Sequence, residues 1–223
     1  MALPHGFVYL KDVDPSITQD VKYFTDDNFV GRPINGYEAA ECILTQEAAL
    51  ALFKIQAELK QQSLGLKVFD CYRPQMAVDD FIAWSKNPAD QKMKKGFYPK
   101  VDKADLFKLG YLATRSSHTR GSTVDLTMVH LHSSQQKQTE MAMGTSFDYL
   151  DELSHPLSSQ VQAIHQQNRL ILRNVMVHAG FIPYDKEWWH FTLRNEPFPN
   201  EYFNFPVVAS GKSGALNHDQ GRA

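Results

Sequence analysis

The segment Lys186-Glu187-Trp188-Trp189-His190-Phe191 sets a carboxylate and an imidazole three residues apart among aromatic side chains. Upstream, Ser116-Ser117-His118-Thr119-Arg120-Gly121-Ser122-Thr123-Val124-Asp125 adds a second imidazole and a second carboxylate, seven residues apart. Together they offer His118, Asp125 and His190 as nitrogen and oxygen ligands and leave Glu187 over. Three such ligands, an open fourth position and a nearby base describe a catalytic zinc site. Two neutral imidazoles and one carboxylate leave a bound divalent ion net positive. It can then polarise a carbonyl and lower the pKa of water. Nitrogen and oxygen donors suit zinc best and would also accept cobalt or nickel.

These residues need a turn and two strands to converge. Gly121 and Ser122 suit a turn after His118, and Asp125 then enters a strand. His190 closes the tripod from another strand. Residues three apart in a strand point to opposite faces, so a bulge or the strand entrance must turn Glu187 toward His190. Trp188 and Trp189 would lower the dielectric around Glu187, raising its pKa toward that of a proton shuttle, and at least one of them is expected only to pack. The other histidines (His5, His130, His132, His155, His165, His178 and His218) have no comparable setting and read as structural or surface residues.

The remaining pattern supplies the scaffold. Residues 7–43 mix aromatics with turn formers, and Asn35-Gly36 is a hairpin signal. Residues 45–62 carry Leu50, Phe53, Ile55 and Leu59 at roughly helical spacing, with Thr45 at the start. Residues 66–72 predict a strand ended by Pro74, and 75–86 return to helix. Residues 87–110 are polar and lysine-rich, and Lys92, Lys94 and Lys95 read as a solvated face. Residues 124–129 predict a strand, 158–180 a long helix stopped by Gly180, and 187–193 a short aromatic strand. No steady βαβ repeat appears, so the expected class is α+β with a mixed or antiparallel sheet.

Bulk properties narrow the function. Hydrophobic residues make up 43% and charged residues 22% of the 223-residue chain, enough for a sizeable core. A net charge of −2 with no long basic run argues against nucleic-acid binding. The first residues do not read as a signal peptide, and no run approaches the ~20 apolar residues of a membrane span. The expectation is a soluble cytoplasmic protein. Two cysteines, Cys42 and Cys71, do not read as a disulfide framework and are too few for a thiolate zinc site. Residues 1–208 read as one domain and 209–223 as a disordered tail or an expression remnant.

The stretch SSHTRGSTVDLTMV followed by EWWHF resembles the VanX-like D-alanyl-D-alanine dipeptidases. These are zinc metallopeptidases related to the D,D-carboxypeptidases and to the Hedgehog signalling domain. DNFVGRPINGYE, FDCYRPQMAV, GTSFDYLDELSH and NEPFPNEYFNFPV agree, so the resemblance runs from about Gly6 to Val208. It implies the Hedgehog and D-Ala-D-Ala peptidase type of fold and one zinc ion per chain on His118, Asp125 and His190. It implies Glu187 as general base and then acid, and Arg73 as the group that stabilises the oxyanion. Asp148 and Ser116 resemble the family's dipeptide-holding positions, with Asp148 the anion for a free ammonium, and Tyr37 is expected to line the same pocket. The implied reaction is hydrolysis of D-Ala-D-Ala by Glu187-assisted attack of water activated on the metal. Its use would be glycopeptide resistance or recovery of D-alanine from the cell wall. Two rivals are a D,D-carboxypeptidase or peptidoglycan endopeptidase on the same fold, and a zinc-stabilised binding domain without turnover. The first would want an open cleft and export, and the second would need neither Glu187 nor Arg73.

Overall fold

The computed structural model describes residues 2–131 and 138–211. The expectations for His132, His218 and residues 212–223 lie outside them. The strands are β1 (Phe7–Tyr9), β2 (Thr18–Gln19), β3 (Ile43–Thr45), β4 (Leu64–Asp70), β5 (Thr123–His130), β6 (Thr139–Glu140), β7 (Phe181–Tyr184) and β8 (Glu187–Leu193). The helices are α1 (Leu10–Val13), α2 (Gln46–Lys60), α3 (Gln75–Ser85), α4 (Lys94–Phe97) and α5 (Ala163–His178). The α+β class stands.

One six-stranded sheet runs β2-β4-β5-β8-β7, with β6 also paired to β5. Only β2 joins in parallel; every other pairing in it is antiparallel. Its central strand β5 is buried along nearly its whole length. Such burial suits the near-continuous run of aliphatic and β-branched residues from Val124 to Val129, interrupted only by Asp125. Helix α2 packs against β4, and α5 against β7 and β8.

Helix α2 starts where Thr45 predicts, its hydroxyl accepting from the Ala48 N–H. Its buried face differs from the expected one. Ala48, Ala49, Leu52, Ile55, Gln56 and Leu59 point inward, while Leu50 and Phe53 are exposed. Small alanines let the helix approach the sheet, and buried Gln56 closes the pairing by accepting from the Leu66 N–H. Asn35-Gly36 does form a turn, with Gly36 at φ +89°. It leads not into a hairpin but into a parallel bridge from Tyr37 to Val207.

The cysteine reading needs correction. Cys42 and Cys71 are joined in a disulfide across 29 residues of chain. The Tyr72 N–H donates to the Ile43 carbonyl, which brings the two Cα atoms to 5.3 Å, within bridging range. Two cysteines far apart in sequence carry no local mark of that register. Disulfides are rare in reducing cytosol, so this bond weighs against the cytoplasmic expectation. No helix among the described residues is long and apolar enough to cross a membrane. Cross-linking a loop of this size contributes about 3.6 kcal/mol. Cys42→Ser should therefore lower the thermal midpoint by several degrees, and the native protein should show no reactive thiol before reduction. An unchanged midpoint, or two free thiols in the native protein, would contradict the bond.

Candidate active site

Three neighbouring strands build the floor of the site. In the register of the sheet, Asp125 on β5 stands opposite His190 on β8 and opposite Asp70 on β4. His118 arrives from the short 3-10 helix Ser117–Arg120. Ser116 begins that helix, its side chain accepting from the His118 N–H, and Gly121 ends it at φ +85°. A Cβ on Gly121 would lie 2.2 Å from the Phe7 ring, so glycine is needed for space as well as for backbone conformation. The Thr45 N–H donates to the Gly121 carbonyl, and the Thr45 and Ser122 hydroxyls pair at 2.7 Å. The start of α2 thus braces the turn that carries His118.

His118 Nε2 lies 3.2 Å from Asp125 Oδ2 and 3.3 Å from His190 Nδ1, and His190 Nδ1 lies 3.1 Å from Asp125 Oδ1. The outward nitrogen of His118, Nδ1, is 2.8 Å from the Cys71 carbonyl. A carbonyl only accepts, so Nδ1 carries the proton and Nε2 presents a lone pair to the cluster. Asp125 Oδ1 is buried without a hydrogen-bond partner despite its closeness to His190. Lone pairs converging on one point, with an orphaned carboxylate oxygen among them, fit a cation. One ligand atom from each of the three residues lies within 4.8 Å of the others. Burial pushes the Asp125 carboxyl up, but positive charge on the His118 and His190 imidazoles outweighs burial and holds it well below the usual carboxylate range, as a bound cation would. Burial lowers His190, which favours the neutral imidazole a metal needs.

Glu187 is the first residue of β8 and is buried. The β7–β8 register shifts between Pro183 and Tyr184, where Tyr184 stands opposite Glu187. This irregularity at the strand entrance resolves the parity problem, and Glu187 Oε2 comes to 3.5 Å from His190 Nδ1. Burial first, then the nearby Asp125 and Asp148 carboxylates, push the Glu187 carboxyl well above its ordinary range. The tryptophans belong to the core. Trp189 packs on Phe147, and the Trp188 indole donates to Thr145 Oγ1. Neither lines the cavity described below.

That cavity, of about 500 Å³, is lined by His118, Asp125, His190, Glu187, Arg73, Asp148 and Ser116 among others. Arg73 donates from Nε and Nη2 to Asp70 Oδ2 at 2.9 and 2.8 Å, and its guanidinium lies 5.0 Å from the centre of the Tyr23 ring. Asp148 sits in a turn at φ +57°, an unusual conformation for a residue with a side chain, and accepts from the Tyr23 hydroxyl at 2.8 Å. Burial, with Asp125 nearby, pushes its carboxyl well up. Tyr37 stands apart from the rest. It is not among the cavity's lining residues, and its hydroxyl donates to Asp70 Oδ1 at 2.6 Å.

Three contributors were missed from the sequence. Asp70 is fully buried and ties together Arg73 and Tyr37, with His118 Nδ1 3.5 Å away. Tyr23 anchors Asp148, and the Cys71 carbonyl orients His118. The only sequence signal for Asp70 is its place three residues before Arg73. Tyr23 and a backbone carbonyl give none.

A family model described as D-ala-D-ala dipeptidase, Peptidase M15, matches residues 4–208. The chain is similar to a D-alanyl-D-alanine dipeptidase of Enterococcus faecalis, 42% identical over 205 residues, covering 92% of this chain and 100% of that protein. It is similar to another of Enterococcus faecium, 40% identical over 202 residues, covering 91% and 98%. A third, from Streptomyces coelicolor, is 41% identical over 202 residues with the same coverage.

Proposed function

The chain belongs to the D-Ala-D-Ala dipeptidase family of Peptidase M15, and on that premise we propose that it hydrolyses D-Ala-D-Ala to two molecules of D-alanine. The observation that carries this reading is the meeting of His118, Asp125 and His190 in one cavity with Glu187 and Arg73. A binding module would need neither of the last two.

His118 through Nε2, His190 through Nδ1 and Asp125 would hold one zinc ion. Bound there, zinc would supply Lewis acidity, polarising the peptide carbonyl and making water more acidic. Glu187 takes the proton of the attacking water and passes it to the leaving amine, a role suited by its raised pKa. Arg73 directs donors at the carbonyl oxygen as that oxygen gains charge. Asp70 holds the guanidinium in place, and Tyr37 braces Asp70 from behind. Asp148 receives the substrate's ammonium. The Ser116 hydroxyl accepts from the backbone of His118 and keeps its own O–H to donate toward the dipeptide.

The metal assignment has its own test. His118→Ala and His190→Ala each remove one of three protein ligands and should each lose most of the bound zinc, measured by elemental analysis of dialysed protein. One full zinc equivalent retained in both variants would rule out this tripod.

A further inference from the structure

The cavity is larger than its proposed substrate requires, and its more exposed charged lining is mostly basic. Some 500 Å³ is the scale of a drug-sized ligand, well beyond two alanines. Of its lining residues, Asp148, Glu187 and Asp125 are buried, as is the cation Arg73. Its more exposed lining carries Arg115, Arg120 and Arg194, with Glu196 as the one carboxylate among them. Glu196 is already committed, accepting from Arg120 Nε and Nη2 at 2.8 Å each. Arg115 and Arg194 are exposed and have no ion-pair partner among the described residues. The Arg115 guanidinium is stacked 4.0 Å from the centre of the Tyr202 ring, and Arg120 reaches the hydroxyl of the same tyrosine at 3.5 Å. The aromatic ring holds Arg115 as a preformed cation at the rim.

We propose that Arg115 and Arg194 form an anion subsite at the cavity mouth, which accepts a carboxylate on the side chain of the substrate's second residue. The inference rests on the dipeptidase reading, with the first residue's ammonium at Asp148. The peptide then runs from the buried Asp148 toward the exposed arginines, with its α-carboxylate at the Ser116 hydroxyl, and its second side chain meets two uncommitted guanidinium groups. A guanidinium binds a carboxylate through paired, charge-assisted hydrogen bonds. The substrate class extends from D-Ala-D-Ala to D-Ala-D-X dipeptides with an acidic X, preferred over neutral residues of the same shape.

D-Ala-D-Glu and D-Ala-D-Gln differ only in that charge. The wild type should show kcat/KM about tenfold higher for D-Ala-D-Glu at low ionic strength, shrinking as salt screens the rim. The double variant Arg115→Gln, Arg194→Gln should bring the ratio close to one. Calorimetric binding of both dipeptides to Glu187→Gln should show the same preference in Kd without turnover. If D-Ala-D-Ala is hydrolysed but the two probes behave alike in rate and in Kd, the subsite is wrong and the dipeptidase reading stands. If no dipeptide is hydrolysed, the dipeptidase reading fails, and the Kd comparison still decides the subsite. A preference that survives in the double variant would also overturn the assignment.

Discussion

Glu187→Ala should keep its zinc and its fold while kcat for D-Ala-D-Ala falls by several orders of magnitude. A positioned general acid–base contributes roughly 100- to 10,000-fold, and Glu187 serves twice, first on the water and then on the amine. Its carboxylate is buried at the entrance of β8 and stands beside His190 without being one of the three converging ligand residues. Losing it therefore removes a proton carrier and leaves the tripod in place. Two outcomes would overturn this division of roles. Activity within tenfold of wild type would mean that another group is the base. Loss of zinc together with activity would make Glu187 a ligand.

N-acetyl-D-Ala-D-Ala should be a very poor substrate. Acetylation removes the ammonium, adds bulk at the buried end of the cavity and leaves Asp148 without its partner. Asp148 is already hard to keep charged, because burial and the nearby Asp125 push its carboxyl up. An incoming ammonium would reverse that. Truncating one partner of a buried charge pair costs about 2–5 kcal/mol. At ~1.4 kcal/mol per decade this is roughly thirtyfold or more in kcat/KM. Asp148→Ala should narrow the gap between free and acetylated dipeptide, chiefly by harming the free one. Equal turnover of the two by the wild type would favour a carboxypeptidase, which must accept an amide at that position.

The convergence of His118, Asp125 and His190 was legible because imidazoles and carboxylates are chemically conspicuous and the turn at Gly121 is written into the local sequence. The place of Glu187 beside His190 was legible too, since their parity conflict pointed to the irregularity found at the β7–β8 turn. What escaped depends on strand register. Asp70 matters because β4 and β5 pair so that it stands opposite Asp125, and no local pattern states that pairing. The Cys42–Cys71 bond escaped for the same reason. The spacing of large side chains predicts Leu50 and Phe53 on the inner face of α2, whereas close approach to the sheet selects Ala48 and Ala49 and turns Leu50 and Phe53 outward. The place of Tyr37 beside a turn suggests a pocket residue, yet its hydroxyl is spent on Asp70.

The central claim is tested most directly by measuring free D-alanine, with a ninhydrin-type assay, from purified zinc-loaded protein given D-Ala-D-Ala, L-Ala-L-Ala or a pentapeptide ending in D-Ala-D-Ala. The account predicts rapid release from D-Ala-D-Ala, abolished by chelation and restored by zinc, with little release from the other two. No release from D-Ala-D-Ala by metal-loaded protein, or faster release from the pentapeptide, would contradict it.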